Sequence, residues 1–307
     1  MLLPAMALAQ TQRPARPYRI GILGSADDTL QQSLRERGYV DGRDIVFEIR
    51  DAAGRSELLD GYAQELVRMK VDVIVVQYPA AAFSARRATA TTPIVMMNSP
   101  DPVQLGLVAS LAKPGGNITG TTTLTVDLSV KQLELFKEAL PRASRIAILW
   151  NPDNPWHPLA VKALHARSAA LGLQLQAMEV RDANAFEDVF RAMVKDRAQG
   201  VLVLADPMTF EHRQRLAELA LKHSLPLMGN VRRFGESGGL MSFWADRNDL
   251  SRRAASYIDR ILKGAKPGDL PIEQPTKFEL IVNLKTAKTL GIAVPQSLLL
   301  RADDRIQ

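Results

Sequence analysis

The 307 residues are 46% hydrophobic and 23% charged, enough apolar material for a sizeable core and, at roughly 100–200 residues per domain, for about two domains. Gly (19) and Pro (18) sit near average usage, which excludes collagen-like and disordered chains; zero Cys excludes disulfide scaffolds, thiol nucleophiles, zinc–thiolate and iron–sulfur sites, and a lipid-modified N-terminal cysteine. The formal net charge of +6 raises the question of an anionic partner, but pairs such as Arg86-Arg87, Arg232-Arg233 and Arg252-Arg253 lie scattered among acids. Nucleic-acid binders gather such charge on one element, so a solvated surface is expected here and no nucleic acid.

Residues Met1 to Ala9 are apolar and end in Ala7-Leu8-Ala9 before Gln10, the small-x-small pattern that a signal peptidase accepts. Residues 1–17 therefore read as the tail of an export signal plus a flexible leader. No later run approaches the ~18 apolar residues of a membrane span, so no stable membrane insertion is expected.

From Tyr18 onward, short apolar β-rich runs alternate with amphipathic stretches. Strands are predicted at Tyr18–Leu23, Ile45–Ile49, Val73–Val76, Ile94–Met97 and Ile118–Thr122, with helices at Thr29–Arg37, Glu57–Met69, Ala80–Ala88 and Val103–Leu111 between them. The pattern then restarts. Strands at Arg145–Leu149, Leu173–Glu179, Val201–Leu204, Leu227–Met228 and Leu240–Trp244 are separated by helices at Leu159–Ala170, Phe186–Asp196 and Glu211–His223. A helix at Leu250–Leu262, a Pro/Gly-rich connection, a strand at Phe278–Asn283 and a short helix ending at Gly291 complete the chain.

The two halves share words in matching order. Glu48-Ile-Arg-Asp-Ala52 recurs as Glu179-Val-Arg-Asp-Ala183, and Pro93-Ile-Val-Met-Met-Asn98 is echoed by Pro226-Leu-Met-Gly-Asn230. The expected fold is thus α/β, with two Rossmann-like lobes of parallel strands joined by a multi-strand hinge. One lobe takes 18–126 plus about 247–274; the other takes 127–246 plus about 275–307.

Catalytic signals are poor. Gly235-Glu-Ser237-Gly-Gly239 matches G-x-S-x-G, but a nucleophile elbow needs a strand before the serine and a helix after it. Here a strand follows, and the last histidine, His223, lies upstream. A Gly-rich turn is the better reading, with a Ser237 hydrolase as the least favoured alternative. His157, His165, His212 and His223 show no metal-ligand spacing, and no dinucleotide or Walker fingerprint is present, so no metal, cofactor or catalytic residue is assigned.

Polar residues collect just after each predicted strand, at the carboxyl edge where parallel sheets bind ligands and helix starts offer free N–H groups. Ser25, Tyr78, Asn98 and Thr123 are the candidates in the first lobe; Asn151, Trp156, Asp206 and Asn230 are those in the second. Each is also the kind of residue that merely caps a helix. Together they suit a small zwitterion, with Asp206 facing its ammonium and helix-start N–H groups near Pro79 its carboxylate.

A series of longer words carries a family resemblance: Gly38-Tyr-Val-Asp-Gly-Arg-Asp-Ile45, Asp101-Pro-Val103, Gly106-Leu-Val-Ala-Ser-Leu111 and Lys113-Pro-Gly-Gly-Asn-Ile-Thr-Gly120. Further words are Lys137-Glu-Ala-Leu-Pro141, Trp150-Asn-Pro152, Gly238-Gly-Leu-Met-Ser242, Ile261-Leu-Lys-Gly-Ala-Lys-Pro267, Gln274-Pro-Thr-Lys-Phe-Glu279 and Asn283-Leu-Lys-Thr-Ala287. The chain resembles the ABC-transporter substrate-binding proteins of the tryptophan/tyrosine-binding type, with the type I periplasmic-binding fold. The resemblance implies a monomeric periplasmic receptor that closes on a small polar ligand, an amino acid or related carboxylate, and delivers it to the transmembrane subunits of an ABC permease. A ligand-sensing receptor module for a signalling partner is the alternative. Relatives commonly read Ser-Tyr-Gly where this chain has Ser242-Phe243-Trp244, so Trp244 is expected to reshape the pocket, while Trp156 offers a surface for stacking.

Overall fold

A computed structural model describes residues 16–123 and 125–307; the side chain of Asn98 lies outside the description, as does the export-signal reading of residues 1–15. The first lobe runs β1 (Tyr18–Leu23), α1 (Asp28–Glu36), β2 (Ile45–Arg50), α2 (Leu59–Arg68), β3 (Val73–Val76), α3 (Pro79–Ala88), β4 (Ile94–Ser99) and β5 (Ile118–Thr122). Its strands form a parallel sheet in the order β2-β1-β3-β4-β5.

The chain continues through α4 (Thr125–Ala139), β6 (Arg145–Trp150), α5 (His157–Ser168), β7 (Gln174–Glu179), α6 (Phe186–Lys195), β8 (Val201–Val203), α7 (Pro207–Glu211), α8 (Arg213–Lys222), β9 (Leu227–Gly229), α9 (Arg232–Glu236) and β10 (Met241–Ala245). After α10 (Arg247–Leu262) come β11 (Phe278–Asn283), α11 (Leu284–Thr289), α12 (Gln296–Arg301) and β12 (Asp304–Ile306). The second sheet is ordered β12-β11-β10-β9-β8-β6-β7. Its β7-β6-β8-β9-β10 portion repeats the order of the first sheet, and the two echoed words fall on equivalent strands, β2 with β7 and β4 with β9. The sheet is not wholly parallel: β11 pairs antiparallel with β10.

Both sheets are buried on two faces, which explains why β3 is unbroken Val-Ile-Val-Val. In the first lobe, Leu66, Val76, Ala81 and Ala85 build one core beneath α2 and α3. Ile20, Ile22, Leu34, Val75, Ala254 and Ile258 build the other beneath α1 and α10. In the second lobe, Phe136, Ile148, Leu164 and Leu298 fill one side, and Phe186, Phe190, Val203 and Leu216 the other. The chain passes between the lobes at β5–α4, at β10–α10, and between α10 and β11, where Thr122 N–H donates to Glu273 O at 2.9 Å and Asp246 N–H to Lys277 O at 3.0 Å. Arg253 braces this crossing, pairing with Asp249 at 2.7 Å and Glu273 at 2.6 Å.

Two expectations fail locally. Val103–Leu111 is a run of turns, not a helix: Asp101 Oδ1 accepts from the N–H groups of Val103 and Gln104, and Gly106 adopts φ 65°, which ends any helical path. The predicted Glu211–His223 helix is present as α8 but begins only at Arg213, because Glu211 ends the short, unpredicted α7. The long α4 was not predicted at all, although Leu128, Gln132, Leu135, Phe136 and Ala139 give its buried face a helical period.

Gly120 shows how the sheet edge is shaped. It sits in β5 at φ 126°, and a Cβ there would lie 2.2 Å from Met96 O, so no other residue fits without moving backbone. The register between β4 and β5 shifts at this point, between Met96 and Ser99, and turns the strand ends toward the cleft.

Candidate functional site

The carboxyl edges of the two sheets face each other across a cavity of about 140 Å³. Ser25, Gln77, Tyr78, Pro79 and Pro100 line it from the first lobe; Asn154, Trp156, Asp206, Phe210 and Asn230 line it from the second. The lobes approach closely: an added Cβ on Gly54 would stand 3.5 Å from Met208 Cα.

The wall of the first lobe is held by its own backbone and amides. Ser25 N–H donates to Gln77 Oε1 at 3.0 Å, and Gln77 Nε2 returns a hydrogen bond to Ser25 O at 2.8 Å. Tyr78 takes the N-cap position of α3 in extended conformation, with Pro79 in the first turn and no side-chain cap. The first N–H groups of a helix lack intrahelical partners, so this end presents donors and positive potential to the cleft. Burial, then the nearby carboxylates of Asp51 and Asp206, push the Tyr78 phenol upward, so it stays protonated. Thr123 is fully buried and packs its hydroxyl against that of Thr125 at 2.7 Å; Thr125, not Thr123, borders the cavity. Asn98 lies on β4, with its side chain outside the description.

The wall of the second lobe is a buried polar network. Asp206 is 8% exposed and caps α7, accepting from Met208 N–H at 2.9 Å. Its other carboxylate oxygen accepts from Asn154 Nδ2 at 3.0 Å and from Asn151 Nδ2 at 3.4 Å. Among the described residues no Lys or Arg pairs with it. Asn151 borders the adjoining pocket rather than the main cavity. Asn230 spends its amide on Val203 O at 3.1 Å and is 3% exposed.

His157 ties this wall together. Nδ1 lies 2.9 Å from Asn151 N and Nε2 lies 3.1 Å from Ala205 O. The neutral tautomer that satisfies both accepts at Nδ1 and donates from Nε2, pinning the loops after β6 and β8 to each other. Burial depresses its pKa, opposed by Asp206 and by the carbonyl oxygens of Ala205 and of Asn151, the latter also 2.9 Å from Nδ1. Trp156, 2% exposed, meets the imidazole edge-on at 4.4 Å between centroids, which fixes the indole at the cavity. Trp244 also lines the cavity and is 6% exposed, packed with Leu128 and Leu250.

Sequence reasoning left several lining residues out of its candidates, Asp51 and Thr125 among them. Asn154 lies in the polar Asn151-Pro-Asp-Asn-Pro run just past β6, at the expected edge, but was not singled out within it. Phe210 lies on α7, under the Arg213 guanidinium at 4.8 Å. Arg247 opens α10 and reaches Asp27 only at 3.5 Å. Ser237 ends α9 and does not line the cleft.

Two α/β lobes facing each other across a polar and aromatic cleft are the architecture of a type I periplasmic binding protein, a receptor class rather than an enzyme. The chain belongs to the ABC transporter substrate binding protein family, whose model matches residues 23–306. It is 27% identical over 262 residues to the tyrosine-binding protein of Clostridioides difficile, covering 85% of this chain and 75% of that protein. A conserved domain protein from Vibrio cholerae superposes with TM-score 0.88 at 25% identity, covering 94% of this chain and 100% of that one. A domain from Streptococcus pneumoniae, solved with L-tryptophan, superposes with TM-score 0.86 at 26% identity, covering 95% and 100%. Proteins of this family are extracytoplasmic and bind small molecules. No helix among the described residues is long and apolar enough to cross a membrane.

Proposed function

We propose that this chain is the periplasmic receptor of an ABC importer, exported by an N-terminal signal, closing as a monomer on a compact amino acid and presenting it to a permease. The observation that carries the ligand class is the buried Asp206 carboxylate set across the cleft from the start of α3. The second lobe offers the buried Asp206 carboxylate without a cationic partner among the described residues. The first offers the uncapped start of α3, and two exposed groups of opposite charge line the same cavity, Asp51 after β2 and Arg247 on the helix packed against that lobe. A zwitterion lying across the cleft satisfies both, its ammonium on Asp206 and its carboxylate on the α3 N–H groups, so binding favours closure.

Two of the similar proteins, one named for tyrosine and one solved with L-tryptophan, support an α-amino acid. The cavity is on the scale of the ~150 Å³ that holds one benzene, and Trp156 and Trp244 both line it, which favours a side chain of one ring or less over the indole of tryptophan.

Thermal unfolding with a panel of L-amino acids, aromatic carboxylates, amines and sugars tests the reading. A ligand at 100 times its dissociation constant adds about 2.7 kcal/mol, a shift of several degrees for a chain of this size. A shift with an L-amino acid is the expected result. A shift confined to aromatic carboxylates lacking an amino group would move the ligand class; a panel silent throughout would sink it.

A further inference from the structure

Asn154 carries a feature that the network around Asp206 does not consume. Its Nδ2 donates to Asp206, but its Oδ1 is buried with no hydrogen-bond partner, on a residue 8% exposed that lines the cavity. A buried amide oxygen without a donor costs free energy, and this one stands beside a carboxylate that also lacks a cation. Three of the roughly four lone-pair directions of the Asp206 carboxylate are taken by Met208 N–H, Asn154 Nδ2 and Asn151 Nδ2, which leaves one.

We infer that Asn154 Oδ1 and the remaining lone pair of Asp206 form a two-acceptor seat for a primary ammonium, and that Asn154 makes the cleft discriminate against N-alkylated ligands. A primary ammonium brings three N–H donors, enough for both acceptors and for the Tyr78 hydroxyl, which lines the same cavity from the opposite lobe. The first N-methyl group adds bulk and leaves two N–H donors for the two acceptors; the second leaves only one, so either Asn154 Oδ1 or Asp206 is stranded. A site built to satisfy buried polar groups rejects an analogue that leaves them unpaired. This assignment rests on the amino-acid reading above and adds the ammonium's degree of substitution.

The test takes the tightest binder among L-phenylalanine, L-tyrosine, L-leucine, L-tryptophan and L-valine and titrates its N-methyl, N,N-dimethyl and N,N,N-trimethyl derivatives calorimetrically. The wild-type chain is expected to lose a few-fold in affinity at the first methyl and at least ~10-fold more at the second, where one N–H is left for two acceptors. Asn154→Ala is expected to bind the primary amine more weakly and to flatten the methyl series to within ~3-fold per step, a coupling that a merely structural role would not produce. A flat series in the wild type, with the primary amine bound, overturns the inference and leaves the amino-acid reading standing. Failure of all five amino acids to bind overturns both. Should Asn154→Ala not fold, the wild-type series decides alone.

Discussion

The two walls of the cleft meet the same ligand with different chemistry. The wall of the first lobe is made of backbone: the start of α3, the Ser25–Gln77 pair and a strand end shaped by Gly120, with side chains that mostly satisfy one another. The wall of the second lobe is made of side chains: Asp206, Asn154, Asn151 and His157, buried and cross-linked by hydrogen bonds, with a carboxylate and an amide oxygen left over. A dipolar ligand needs an electropositive and an electronegative surface, and a helix terminus supplies the first without any ionisable residue. The second lobe supplies the negative pole with a carboxylate, whose burial is offset by a hydrogen-bond network. The lobes that repeat each other in topology are therefore expected to respond unequally to side-chain replacement.

The largest effect should follow from Asp206→Asn, which keeps the cap on α7 and removes the charge. Losing a buried partner of a ligand cation costs about 2–5 kcal/mol, so the affinity for an L-amino acid should fall ~30-fold or more by calorimetry. Replacement of His157 comes next and is read in stability. His157→Leu strands the N–H of Asn151 and the carbonyl of Ala205, and should cost about 3 kcal/mol in denaturant unfolding.

The same residue sets a pH dependence. Because burial holds its folded pKa below the ordinary 6.5, the unfolded chain binds the proton more readily. The contribution to stability is full above pH 6.5 and declines as the pH falls from there toward the depressed folded value, by at most ~1.4 kcal/mol per pH unit. His157→Leu should remove that part of the slope; an unchanged slope would reassign it to other groups.

Trp244→Ala should act on selectivity more than on affinity. Opening that side of the cavity is expected to shift preference toward larger side chains, raising the ratio of L-tryptophan to L-leucine affinity by several-fold, at a core-packing cost of about 3 kcal/mol. On the opposite wall, Ser25→Ala should weaken binding by no more than ~3-fold, since the Ser25 hydroxyl is already engaged with Gln77 at 3.2 Å. A loss as large as that of Asp206→Asn would erase the contrast between the walls. Ser237→Ala, outside the cleft, should leave binding unchanged and shift stability by less than ~0.5 kcal/mol.

Much of the lobe architecture could be read from the residues because parallel strands buried on both faces leave an unmistakable run of Val and Ile, as in β3 and β8. The candidate wall residues were found through one rule, polar content just past a strand, and Ser25, Tyr78, Trp156, Asp206 and Asn230 do line the cavity. The rule could not separate lining from support. Thr123 obeys it yet is wholly buried, while Thr125, two residues on, meets the cavity. Asn154 obeys the rule, in the polar run after β6, without being singled out there; Arg247 escaped it because its place depends on how an inter-lobe helix folds back, which no local spacing encodes. The helix expected at Val103–Leu111 failed for a local reason, the Asp101 turn and Gly106, that composition outweighed.

The division of poles is most directly tested by comparing the bound amino acid with two analogues, its decarboxylated amine and its deaminated acid, in calorimetric titrations of the wild-type chain. If each wall grips one pole, both analogues should bind at least ~30-fold more weakly than the amino acid, and Asp206→Asn should weaken the amine while sparing the acid. An analogue with a single pole that binds as tightly as the amino acid would contradict the account.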